Sequence, residues 1–149
     1  MAERTPRAAP SPSEPGAILA LRVPVFAALI GLTSLAILLQ GVFAGVFIEP
    51  GAHSGWLDAH DINADVAGAL AIGTAIYAVG WLRAAAPSLA IGATVLAVLV
   101  IALTAIGHAI VGSHDHGLTP VHVPLALLAF GLTIWLSVKA RTLRRAASA

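Results

Sequence analysis

The chain has 149 residues, a length that suits a single domain. Hydrophobic residues make up 58% of it and charged residues only 10%, against roughly a quarter in soluble domains. Such a chain cannot cover itself with polar surface, which excludes a soluble globular protein. A formal net charge of +1 offers no basic face to phosphates, so nucleic acid is excluded as a partner. The absence of cysteine excludes disulfides, thiolate metal sites and cysteine nucleophiles.

Residues 1–16, MAERTPRAAPSPSEPG, are rich in Pro, Ser and charge and lack apolar periodicity, which predicts a disordered cytoplasmic tail. The first apolar stretch is too long and too far from the start for a cleaved signal peptide. Four apolar stretches follow, at about 23–48, 62–82, 87–111 and 121–138. Each is close to the roughly 20 residues that carry a helix across a ~30 Å hydrocarbon core. Arg22, Arg83, Lys139, Arg141, Arg144 and Arg145 flank the spans on one side, and Glu49, Asp58, Asp61 and Asp115 on the other. The positive-inside rule makes the first side cytoplasmic.

The expected fold class is therefore all-α, an integral membrane up-down-up-down four-helix bundle with both termini cytoplasmic, because short connections make successive helices antiparallel neighbours. The transmembrane domain is expected over 17–141, with a basic cytoplasmic tail at 142–149. Arg outnumbers Lys seven to one and alanine abounds, a composition that suggests high-GC coding and a bacterial plasma membrane. Gly41-Val-Phe-Ala-Gly45 is a GxxxG, and Ala64-Asp-Val-Ala-Gly68 is a small-xxx-small variant. Both predict close helix packing without naming the partner helix, and they leave a homo-oligomer open.

Six histidines are the main chemical feature, and all fall at the outer end of the expected bundle. His53 and His60 belong to the first outer loop and the start of helix 2. His108 lies about one turn inside the end of helix 3. His114 and His116 belong to the second outer loop, and His122 opens helix 4. An ionisable residue at membrane depth is a functional-site hypothesis by default.

His60 is followed on its helix face by Ala64, Ala67, Ala71 and Ala75, and His122 by Ala126, Ala129 and Thr133. A stripe of small side chains lets backbones touch or leaves a slot for a flat macrocycle. Helices 2 and 4 run in one direction from one surface, so the two imidazoles sit at matching depth. Two imidazoles facing each other across a bundle core suit bis-histidine ligation of haem b. The bland alternative is that interfacial histidines only anchor helix ends.

His108 needs a partner, which is either iron or a neighbouring helix. Gln40 is deep enough in helix 1 to demand a bond, to a haem edge, to a ligand histidine or across helices. Asp65 is expected in the first turn of helix 2, compensating the helix dipole. His114-Asp115-His116, with Asp58 or Asp61 nearby, is a weaker candidate for Zn²⁺ or Cu²⁺, although a solvated turn explains the same letters.

These residues carry a resemblance. The chain resembles half of a haem A synthase, whose two tandem four-helix bundles each place a histidine pair at the outer starts of the second and fourth helices. His60 and His122 match that pair, and Val121-His122-Val123-Pro124-Leu125-Ala126 is similar to the family's fourth helix. Gln40-Gly41-x-x-Ala44-Gly45, followed by a histidine at the next helix start, also resembles small uncharacterised four-helix bacterial membrane proteins. The resemblance implies a haem site and an oxidation of a haem methyl group. Two departures count against that activity. The family's glutamate three residues before the second-helix histidine is Leu57 here, and its following arginine is Asp61. The outer side also lacks Lys and Arg for haem propionates, leaving solvent, backbone N–H groups, Asn63, Ser113 or the loop histidines.

Three functions are consistent with this reading. The first is a membrane cytochrome b-like protein, in electron transfer to or from a redox partner or in haem handling. The second is an outer-face Zn or Cu protein using His53, His60, His114 and His116. The third is a cofactor-free accessory subunit of a membrane complex.

Overall fold

The computed structural model of the protein describes residues 15–113 and 116–147. They form α1 (Pro15–Phe47), α2 (Gly55–Tyr77), α3 (Pro87–Ser113) and α4 (Thr119–Ala147). A π-helical turn, Ala78–Leu82, extends α2, and a 3₁₀ turn, His116–Leu118, precedes α4. No strand occurs among the described residues. All four helices are long and apolar enough to cross a bilayer.

Local chemistry sets the helix ends. Pro87 opens α3, where its missing N–H is one that no helical carbonyl would have reached. Between α1 and α2 the chain turns through Gly51 at φ +83°, a left-handed conformation that glycine adopts without a Cβ penalty. The helices also outrun the apolar stretches. α2 starts at Gly55 rather than Ile62, so Asp65 stands in its third turn and the acid near the positive helix end is Asp58. The dipole role expected of Asp65 is therefore Asp58's. At the other extreme α4 stays helical through 142–147, the segment expected as a tail. α1 starts at Pro15, just inside the expected N-terminal tail, and residues 1–14 lie outside the described ones.

α1 packs on α2 and α4, and α3 packs on the same two, while neither α1 and α3 nor α2 and α4 approach closely. The bundle is thus a four-cornered ring with two diagonals. Contacts between α1 and α2 run from Arg22 with Tyr77, through Thr33 with Thr74, to Gln40 with Asn63. Rising numbers on one helix meet falling numbers on the other, so the pair is antiparallel.

The interior is filled unevenly. Phe26, Ile30, Leu82, Leu89, Leu96 and Leu136 are fully buried, together with Thr33, Thr74 and Thr133. Between α3 and α4 a Cβ on Gly92 would stand 2.8 Å from Leu136 Cδ2 and 3.2 Å from Trp135 Cζ3, so a side chain there must displace one of them. All of these residues lie in the end and middle of the bundle that carry Arg22, Arg83 and Lys139. Toward the opposite end, among the described residues, nothing in 37–66 or 104–128 is fully buried. The GxxxG belongs to that emptier part. Gly41 and Gly45 are exposed, and a Cβ on either would meet no atom within 4 Å. The motif expected to bring helices together faces away from its own bundle.

Candidate functional site

His60 is in the second turn of α2 and His122 in the first turn of α4, on opposite corners of the ring. Both rings are half-buried, and His122 lies within electrostatic reach of His60. The start of each diagonal helix thus contributes one imidazole to the loosely filled end.

The His60 ring is held from two sides. Its Nδ1 lies 3.2 Å from the Gln40 carbonyl oxygen. A carbonyl only accepts, so Nδ1 donates its hydrogen and the neutral ring keeps the Nε2 lone pair. Metal-ligating histidines characteristically have their second nitrogen fixed in this way. Phe47 presents an edge to the same ring, centroids 5.2 Å apart at 70°. One layer out, Phe43 and Trp56 meet at 6.2 Å.

Gln40 serves the site through its backbone. Its side-chain Oε1 accepts from Asn63 Nδ2 at 2.8 Å, and the same amide donates to the Ala36 carbonyl at 2.9 Å. The interhelical bond expected of Gln40 is present, and Asn63 is engaged with α1 rather than available to a propionate. Asn63 follows His60 by one helical turn, so the two face α1 together.

His122 is the less satisfied of the pair. Its Nδ1 is buried with no hydrogen-bond partner. Buried polar atoms are nearly always paired, so such a nitrogen calls for an explanation. Its Cε1 lies 3.5 Å from where a Cβ on Gly107 would stand, and that glycine on α3 leaves room for the ring. Nothing in the sequence marks Gly107, because the ring it makes room for belongs to another helix.

The other histidines are elsewhere. His108 is exposed and lines a groove of about 450 Å³ between α2 and α3, with Asp65, Ala64, Gly68, Thr104 and Ala105. Its side chain opens onto this groove. His53 is exposed, and its Nδ1 accepts the Gly55 N–H at 3.1 Å. His114 and Asp115 lie outside the described residues, as does the side chain of His116. Among the described residues no three His, Asp or Glu side chains come together in a way that could hold a metal ion.

The small-residue stripes below the pair are packed. Ala67, Ala71 and Ala75 on α2 and Ala129 and Thr133 on α4 are buried. They bring neighbouring helices close, the first of the two uses open to them, and any macrocycle belongs above them at the histidine end. The donor set there includes the His60 and His122 imidazoles. No described Lys or Arg accompanies it.

Comparison with protein-family models, with curated proteins and with solved structures finds no match to this chain.

Proposed function

We propose that the chain is a multi-pass membrane protein of the bacterial plasma membrane, with its helices up-down-up-down and both termini cytoplasmic. It holds one haem b between His60 and His122 near the outer face. The observation that carries this reading is the placing of two half-buried imidazoles, one from each of two diagonal helices and within electrostatic reach of each other, at the end of the bundle where none of the described residues is fully buried. The tautomer set by the Gln40 carbonyl and the unpartnered Nδ1 of His122 support it.

Haem b supplies a one-electron couple at its iron. The chain's own residues do the rest. The Gln40 carbonyl orients the His60 ring and raises its basicity, while Phe47 restricts its rotation. Gly107 admits His122, and the packed alanine stripes close the site below. Asn63 is already engaged and no described Lys or Arg lies at this end, so solvent would take the haem propionates. These roles suit electron transfer or haem handling.

The test is a dithionite-reduced minus oxidised visible spectrum of the detergent-purified protein, expressed with ample haem. A sharp low-spin b-type signal is expected, absent from His60→Ala and from His122→Ala but retained in His53→Ala. A colourless wild-type protein under those conditions sinks the proposal.

A further inference from the structure

The opposite end of the molecule carries a second feature that the haem reading does not use. Arg22, Arg83, Lys139, Arg141, Arg144 and Arg145 all belong to it, whereas the described acids, Glu49, Asp58, Asp61 and Asp65, belong to the other half. α4 carries four of these cations in its last turns, from Lys139, next to Val138, to Arg145, about 10 Å beyond Val138 along the axis at about 1.5 Å per residue. Trp135 and Trp81 are exposed just below the charges.

Along this part of α4 runs a groove of about 300 Å³ lined by Trp135, Val138, Lys139, Thr142 and Leu143. The Lys139 ammonium is held 5.5 Å from the centre of the Trp135 ring, an arrangement in which the ring face attracts the cation. The Thr142 hydroxyl donates to the Val138 carbonyl at 3.0 Å, so the hydrogen-bond donors open to a ligand are the Lys139 ammonium and the Trp135 indole N–H. One wall of the groove is apolar and continues into the exposed side chains Ile134, Leu128 and Leu127. A free anion uses only the lysine. A phospholipid uses both features.

We infer that this groove seats an anionic phospholipid of the cytoplasmic leaflet. Its phosphate pairs with Lys139, and an acyl chain lies against Trp135 and Val138. A basic residue paired with a lipid headgroup at the membrane surface contributes about 1 kcal/mol of attraction to anionic lipid, which for Lys139 in its groove corresponds to about a fivefold preference at Trp135. The inference shares the bilayer placement of the proposed function and is independent of haem.

The test uses the full chain with Trp56→Phe and Trp81→Phe, leaving Trp135 as its one indole. It is reconstituted in phosphatidylcholine vesicles containing a minor fraction of brominated phosphatidylglycerol or of brominated phosphatidylcholine. The glycerol lipid is expected to quench Trp135 about fivefold more effectively at equal mole fraction. Lys139→Gln removes that preference, and the triple variant Arg141→Gln, Arg144→Gln, Arg145→Gln keeps it. Equal quenching by the two lipids overturns the site. So does a preference that survives Lys139→Gln but vanishes in the triple variant, since a diffuse cationic layer then explains it. Loss of the preference on adding inorganic phosphate reduces the groove to a simple anion site and also overturns the inference. Quenching by neither lipid overturns the bilayer placement itself, while the haem spectrum reports separately on the other end.

Discussion

The two ends of the bundle are built on opposite plans. At the basic end the four helices close around Phe26, Ile30, Leu89, Leu96 and Leu136, and every one of these side chains is fully buried. At the histidine end the same helices bury none of their described residues completely, and polar groups face one another instead: His60 on Gln40, and Asn63 on Gln40 and Ala36, while the Nδ1 of His122 is left without a hydrogen-bond partner. A chain can hold its helices together with half of its length and keep the other half for a ligand. Stability and chemistry are then separable by position, which makes the contrast experimentally accessible.

The largest expected effect is at the histidine end. His60→Ala and His122→Ala should each abolish the b-type spectrum. The haem-free protein should meanwhile keep its thermal midpoint within a few degrees, as measured in the same detergent, because no buried core is removed. Haem loading should slow amide exchange at the starts of α2 and α4 and leave the α3 segment around Leu96 unchanged. An equal slowing at both ends would break the division.

Core truncation should do the reverse. Leu96→Ala is expected to cost about 2–5 kcal/mol in unfolding experiments, through lost contacts and the cavity left behind, with the spectrum of surviving folded protein unaltered. A smaller contrast sets two glycine positions against each other. Gly92→Ala should destabilise by about 1–3 kcal/mol as Leu136 and Trp135 give way. Gly41→Ala should be neutral or stabilise by up to about 1 kcal/mol, since alanine favours helix and meets nothing there. A loss at Gly41 matching that at Gly92 would show that the exposed GxxxG contacts another chain. Asn63→Leu is expected to cost about 1 kcal/mol, since it removes two hydrogen bonds to α1 and one such bond between membrane helices is usually worth about 0.6 kcal/mol.

Hydrophobicity located the four helices but not their ends. An apolar stretch marks the part of a helix suited to hydrocarbon. The backbone bonds that continue a helix into polar sequence leave no such mark, so Gly55–Asp61 and residues 142–147 escaped. The apolar stretch therefore points to Asp65 as the first-turn acid of α2, whereas the helix itself places Asp58 there. That His60 and His122 share one end of the bundle was legible, because helical parity alone puts the starts of α2 and α4 there. What surrounds them was only partly so. Gln40 declared itself as a buried polar residue, but that its carbonyl rather than its amide meets His60 depends on the rotation of α1. The outward direction of Gly41 and Gly45 depends on the same rotation, which spacing along one helix cannot supply. His108 shows the converse, for its depth was readable and its face was not.

The cross-links between α1 and α2 bear on how the molecule is assembled during synthesis. Arg22 donates to the Trp81 carbonyl, Tyr77 to the Arg22 carbonyl, Thr33 meets Thr74, and Asn63 and His60 reach Ala36 and Gln40, so the pair is stitched from one end to the other. All of these partners have been made once residue 82 has left the ribosome. The partners that stitch the first two helices therefore emerge from the ribosome ahead of α3. α3 and α4 then dock mainly by shape, with Thr133 meeting Ser34 and Gly92 yielding to Leu136. The order of the sequence is in this sense an order of operations, in which His60 is oriented by Gln40 well before His122 arrives to face it.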